Sequence, residues 1–189
     1  MGLDYAVKPI NISQGDQMTP AFLAMNRNHK IPVLVDSDGT VVNESNTILL
    51  KLTQDTRKFA PSQGSPDYWV MLEWLMWQAS GFGPMLGQTH HFVHFNPGKS
   101  AYAETRFQTE AKRLYGVLNT RLTGRTYMLD EISILEFAIW PWASRFEFQR
   151  IDLNEFPAVK DWYLRLADRP AFQRGYVQPS GTGPIPRPA

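Results

Sequence analysis

The 189-residue sequence contains no cysteine. Disulfide scaffolds, paired-cysteine redox motifs and thiolate metal sites are excluded together, and any thiol chemistry must use a sulfur brought by a ligand. An excess of either charge is also missing. Lys plus Arg number 19 and Asp plus Glu 18, for a net charge of +1. Without a basic stripe, nucleic acid is not an expected partner. No apolar run reaches the length of a bilayer span and no signal peptide opens the chain, so no membrane partner is expected. The default expectation is a soluble, cytoplasmic protein.

What is present is a large apolar and aromatic content: 43% hydrophobic residues, with 6 Trp, 11 Phe and 7 Tyr. The aromatics crowd into the later part of the chain, as in a packed helical core with a pocket. Residues 5–12 (YAVKPINI) alternate like a strand, with Pro9 suggesting an edge. Thr19 and Pro20 read as the cap and first position of a helix. Residues 55–66 are polar with prolines and read as a linker, and beyond them the pattern is helical. Phe107, Ala111, Leu114, Leu118 and Leu122 recur at helical spacing. Ser133 and Glu136 form a capping box before an apolar run. Pro157 opens a further helix that Pro170 closes, and residues 178–189 read as an unstructured Pro/Gly-rich tail. The expected domains are 1–54 (small α/β), 55–66 (linker), 67–177 (all helical) and 178–189 (tail).

Residues 28–51 (NHKIPVLVDSDGTVVNESNTILLK) carry the strongest functional signal. They read as strand, tight turn at Asp38-Gly39, strand, then a helix opening at Glu44-Ser45. Pro32 has no backbone donor, so the edge at Ile31 is open to an extended ligand. The start of the helix offers unpaired N–H groups and a positive dipole end to an anion. The segment is therefore a candidate dock for a small peptide that ends in a carboxylate.

The combination of KIPVLV, NES before a helix, WLMWQASGFGPMLGQTHHF at residues 74–92, and a capping box before AIWPW resembles the glutathione S-transferase superfamily. Within it the chain is similar to the nu-class bacterial glutathione-dependent disulfide-bond oxidoreductases and to the fungal nitrogen-regulator-like proteins. The resemblance implies an incomplete thioredoxin-like N-terminal domain, its first strand and helix missing, followed by an all-α domain of the transferase type. It implies glutathione, reduced or as the disulfide, as cosubstrate, with no metal. It further implies a small disulfide or electrophilic substrate and a homodimer. The implied glutathione contacts are Gln17, Ile31, a cis Pro32, Glu44, Ser45, Gln88 and Arg121. Ile31 would pair its backbone with the cysteinyl part, Glu44 would hold the ammonium and Ser45 the carboxylate. Arg121 would grip a ligand carboxylate with its planar fork. The expected activity is glutathione-dependent disulfide reduction or thiol transfer by the ligand's own sulfur.

One departure matters. The family's Thr-Pro-Asn-Gly motif has no counterpart here, so no catalytic residue is assigned. The chain reads as starting after it, which leaves two readings: an active enzyme whose upstream residues are absent, or a weak or inactive binding or regulatory module. Other motifs weigh less. Gly81, Gly83 and Gly87 imitate a dinucleotide fingerprint with the wrong spacing and context, and read as a helix end and bend. His90 and His94 share a helix face, but no third metal ligand is near them in sequence, so they read as polar lining of a cleft. Trp74, Trp77 and Trp140 read as core, with Trp142 undecided.

Overall fold

The computed structural model describes residues 1–179 and 183–188, and its chain separates into two compact units, Met1–Lys58 and Phe59–Ala189.

In the first unit a 3₁₀ turn at Asp16–Met18 leads into α1 (Pro20–Met25). Thr19 caps α1 by accepting from the Phe22 N–H, and Pro20 occupies the position where a missing donor does no harm. Strands β1 (Val33–Val35) and β2 (Val41–Asn43) form an antiparallel hairpin with the register Val33–Asn43, Leu34–Val42 and Val35–Val41. Gly39, at φ 84°, supplies the left-handed residue of the turn, and the Asp38 carboxylate accepts from the Thr40 N–H at 2.8 Å. Helix α2 (Ser45–Thr56) follows at once and runs two residues into the segment expected as linker. Lys51 on α2 pairs with Asp36 at the end of β1 and with Asp55 on its own helix.

The strand expected over residues 5–12 does not form; this segment carries neither strand nor helix. Alternation marks a chain that can be a strand, but a strand exists only where a neighbour takes its backbone hydrogen bonds. Among the described residues β1 and β2 pair only with each other.

The second unit is helical. Ser65 caps α3 (Pro66–Trp77), which continues without interruption through a π-helical stretch (Gln78–Phe82), α4 (Gly83–Thr89) and a second π-helical stretch (His90–Phe95). The helix end expected at Gly81, Gly83 and Gly87 is therefore absent, and Gly83 and Gly87 instead lie against Trp142. A Cβ on Gly83 would lie 2.8 Å from Gln78 Nε2 and 3.1 Å from Trp142 Cε2, so only glycine lets that indole settle against the helix. Helix α5 (Ala101–Leu122) buries Ala111, Leu114, Tyr115, Leu118 and Leu122, the stripe expected from periodicity. Helix α6 (Ile134–Ala143) starts with the capping box: Ser133 Oγ accepts from the Leu135 N–H, and Glu136 accepts from Ser133 N–H, Ser133 Oγ–H and the Met128 N–H. Helix α7 (Pro157–Ala167) lays Val159, Trp162, Tyr163 and Leu166 into the core. That helix ends before Pro170, as expected, and Pro170 also opens a further helix, α8 (Pro170–Tyr176). Of the tail expected over residues 178–189, residues 180–182 and 189 lie outside the described residues. Within residues 183–188, the Pro186 carbonyl accepts from the Tyr163 hydroxyl at 2.8 Å and Arg187 pairs with Asp168 at 2.6 Å.

Candidate functional site

The hairpin register locates the first unit's candidate residues. Val33–Asn43 is the end pair of the ladder. One step beyond it stand Pro32 and Glu44, and two steps beyond stand Ile31 and Ser45. Opposed residues of antiparallel strands lie about 5 Å apart, so the register brings these four to one end of the sheet. All four are exposed, Ile31 to 48%. The Ile31–Pro32 bond is cis. No backbone hydrogen bond among the described residues uses Ile31, which leaves its N–H and C=O open to a ligand.

Two local devices hold this end in shape. Asn26, buried just after α1, donates from Nδ2 to the Lys30 carbonyl at 2.7 Å and accepts the Asn28 N–H at 2.9 Å. It thereby fixes the loop that presents Ile31. Asn43 Nδ2 donates to the Met25 carbonyl at 3.0 Å, joining β2 to the end of α1. Neither asparagine was singled out by the sequence, where each reads as an ordinary loop residue. Glu44 has φ 67° and ψ 122°, a left-handed backbone that a residue with a Cβ adopts at a cost of about 1–3 kcal/mol. That backbone turns the chain abruptly from β2 into α2. Glu44, the N-cap residue of α2, makes no side-chain cap hydrogen bond, and Ser45 stands at the first position of the helix.

Gln17 lies in the 3₁₀ turn, with its Oε1 shut off from solvent and without a hydrogen-bond partner among the described residues. The remaining candidates lie in the second unit. Gln88 is exposed on α4. Arg121 on α5 is largely committed to the protein. Its Nε and Nη2 both donate to the Met128 carbonyl, at 2.9 and 2.5 Å, and its guanidinium lies 5.5 Å from the Trp74 ring centroid. Burial holds its pKa below the usual arginine value, and the nearby Arg125 acts in the same direction. Arg106 was missed. It lies on the wall of a cleft of about 580 Å³ between α4 and α5, with Met85, Tyr102, Thr105 and Thr109. The neighbouring Glu110 is held bidentately by Arg113, at 2.7 Å for each bond, so Arg106 has no salt-bridge partner among the described residues. Gln88 follows Met85 by three residues on α4, within the same turn.

The histidines belong to a different neighbourhood. His90 Nε2 lies 2.9 Å from Gln149 Nε2, and that amide also donates to the Trp142 carbonyl while its Oε1 accepts from the buried Tyr115 hydroxyl. Burial, reinforced by Arg145 and His94, pushes the His90 imidazole down to about 4. His94 stacks on Phe148 with ring centroids 3.9 Å apart, and His91 meets Phe92 edge-on. Among the described residues no group of three His, Asp or Glu side chains could hold a metal ion. Trp142, undecided from sequence, is half-buried across Gly83 and Gly87 and stacks on His90. Glu73 is exposed on α3.

Comparison with known proteins shows the family. Residues 1–54 match the model of the glutathione S-transferase N-terminal domain. The disulfide-bond oxidoreductase YfcG of Escherichia coli is 43% identical over 176 residues, spanning 89% of this chain and 81% of that protein. The chain belongs to the glutathione transferase family. A glutathione transferase from Pseudomonas putida, solved with one glutathione disulfide bound per subunit, superposes with a TM-score of 0.87 at 33% identity, covering 95% of this chain and 83% of the other. The fungal branch is represented by protein URE2 of Eremothecium gossypii, 29% identical over 90% of this chain and 60% of that protein. This transferase thus shares its fold with a family of enzymes, and the hairpin end described above lies within its N-terminal region.

Proposed function

We propose that this transferase binds glutathione and its disulfide and catalyses thiol–disulfide exchange with a small disulfide, using the sulfur of the bound tripeptide. The observation that carries the reading is the hairpin register, which sets Ile31-Pro32 opposite Glu44-Ser45 at the start of α2. The ligand's cysteinyl backbone pairs with Ile31 as one added extended residue. Its γ-glutamyl carboxylate takes the α2 N–H groups and the Ser45 hydroxyl, and its ammonium takes Glu44. Support for the redox chemistry comes from the relatives, one named a disulfide-bond oxidoreductase and one holding glutathione disulfide. Gln17 and Gln88 complete the proposed contacts. For a ligand carboxylate at the helical unit we assign Arg106 as well as Arg121. Arg121 has already given two of its five N–H donors to the Met128 carbonyl, whereas Arg106 lines its cleft with no salt-bridge partner among the described residues.

The reaction needs no protein nucleophile. The bound thiolate attacks one sulfur of the substrate disulfide, a mixed disulfide forms, and the other sulfur leaves as thiolate and takes up a proton. A second glutathione thiolate attacks the mixed disulfide, giving glutathione disulfide and the second thiol. The enzyme acts as a homodimer in the cytoplasm under this reading.

Calorimetric titration with reduced and oxidised glutathione tests the dock, and turnover of hydroxyethyl disulfide with glutathione tests the chemistry. Ser45→Ala and Glu44→Gln are each expected to weaken binding about tenfold, since hydrogen bonds to charged groups are worth about 1.5–3 kcal/mol. Absence of binding to the unsubstituted chain defeats the proposal. Binding without turnover limits the protein to a binding module.

A further inference from the structure

With no cysteine, the chain's own sulfur is all in its 7 methionines, and the fold treats them unequally. Met71 and Met128 are fully enclosed, whereas Met18 and Met76 are exposed, to 57% and 52%. Met18 has a polar group fixed against it: His29 Nδ1 lies 3.0 Å from its Sδ. A thioether only accepts, so Nδ1 carries the hydrogen and aims it at one of the two sulfur lone pairs.

Both partners are held by their own neighbourhood. Met18 ends the 3₁₀ turn, where its N–H donates to the Gly15 carbonyl at 2.8 Å, and the Thr19 N–H and hydroxyl both donate to the Asp16 carbonyl. His29 stands at φ 57° with its N–H on the Asn26 carbonyl at 3.2 Å. The Asn26 side chain bonds Asn28 and Lys30, on either side of His29. The contact is therefore built within residues 15–30. Two residues proposed for glutathione adjoin it: Gln17 precedes Met18, and Ile31 follows His29 by two positions.

A thioether reacts with hydroperoxides. A sulfur lone pair attacks the terminal peroxide oxygen, the S–O bond forms and the O–O bond breaks. The proton of that oxygen passes to the departing one, which leaves as water or an alcohol. Sulfur is oxidised to the sulfoxide and the peroxide is reduced. At Met18 the lone pair facing His29 is screened, because a nitrogen 3.0 Å away leaves no room for an oxygen between them. Attack is confined to the outward lone pair, so a single sulfoxide epimer forms. The new oxygen is a stronger acceptor than the thioether sulfur, and the His29 N–H turns to it. That movement is passed to the loop that presents Ile31.

We propose that Met18 is a reversible oxidation site for small hydroperoxides, that His29 restricts the product to one sulfoxide epimer, and that the sulfoxide weakens the neighbouring glutathione dock. The last part rests on the glutathione reading given above.

The test treats the whole chain with hydrogen peroxide, resolves the Met18 peptide by chromatography and mass spectrometry, and titrates glutathione before and after. The expected product at Met18 is one epimer, removed by only one of the two epimer-specific methionine sulfoxide reductases. Glutathione affinity falls about three- to tenfold on oxidation and returns with that reductase, as change at one hydrogen-bonded contact should give. Met18→Leu, close in volume, keeps the affinity and loses its sensitivity to peroxide, which separates Met18 from the exposed Met76. His29→Asn tolerates the positive φ and removes the screen, so both epimers form. Equal amounts of the two epimers in the unsubstituted chain, an unoxidised Met18, unchanged affinity after oxidation, or peroxide sensitivity that persists in Met18→Leu each overturns the proposal. The epimer ratio of the unsubstituted chain decides the screening even if His29→Asn fails to fold. Mapping the sulfoxide needs no glutathione, and the titration before oxidation reads the dock by itself, so failure of the dock and failure of the oxidation site are told apart.

Discussion

The two units of this transferase are built to different standards. In Met1–Lys58 only Phe22, Asn26 and Thr53 are buried. In the second unit α5, α6 and α7 each contribute a full buried stripe, with Trp162, Tyr115 and Tyr163 entirely enclosed. The proposed glutathione dock stands on the lightly packed unit, where local hydrogen bonds and the positive-φ residues His29 and Glu44 set the shape. The helical unit owes its order to burial. Regions with few buried apolar groups open more readily than dense cores, so binding geometry here rests on adaptable ground and the fold on rigid ground.

The sharpest test of this contrast is core truncation. Trp162→Ala is expected to lower the unfolding free energy by about 3–5 kcal/mol, read by urea denaturation. A loss below about 1 kcal/mol would mean that the helical core is loose as well. Native-state hydrogen exchange compares the units directly. Central α5 amides should be protected at least about a hundredfold more than those of β1 and β2, and equal protection would erase the distinction. Next is Gly83→Ala, where the added methyl meets Gln78 and the Trp142 indole; overpacking of this kind costs about 1–3 kcal/mol.

A pH experiment probes the same helical packing. His90 is depressed to about 4 in the fold against about 6.5 in an unfolded chain, so below pH 6.5 the unfolded state binds more protons. Stability is fully present above 6.5 and is lost as pH falls from there towards 4. Because the ring is only half-buried, the expected loss is about 1–2 kcal/mol after allowance for solvent screening. His90→Asn should flatten that part of the profile. The smallest effect belongs to the first unit. Glu44→Gly relieves the positive φ and should stabilise by about 0.5–1 kcal/mol while weakening glutathione. A variant that binds better would place the ligand's ammonium elsewhere.

How much of this was legible from sequence follows the same division. Signals completed within a few residues were readable: the Thr19-Pro20 start, the Asp38-Gly39 turn, the Ser133–Glu136 capping box and the α5 stripe. Signals that need a distant partner were not. Residues 5–12 alternate as a strand should, yet among the described residues no strand pairs with them. Pro170 marks the end of α7 as expected, but the helix it opens was not legible, because proline suits both a helix boundary and the first position of the next helix. Asn26 looks like any loop residue until its side chain is seen bonding the Lys30 carbonyl. Arg106 and Arg121 are alike in sequence. Only the fold shows that one grips Met128 while the other lines an open cleft. The glycines of α4 announce a break, and the structure spends them on Trp142.

Gln149 has a chemical consequence for a ring it only touches. Its oxygen is occupied by the Tyr115 hydroxyl and its nitrogen donates to the Trp142 carbonyl and towards His90 Nε2. The imidazole must therefore present a lone pair at Nε2 and keep its hydrogen on Nδ1. A phenol buried on α5 thus dictates the tautomer of a histidine 25 positions earlier in the chain, and nitrogen-15 shifts of that ring would read out the orientation of a single amide.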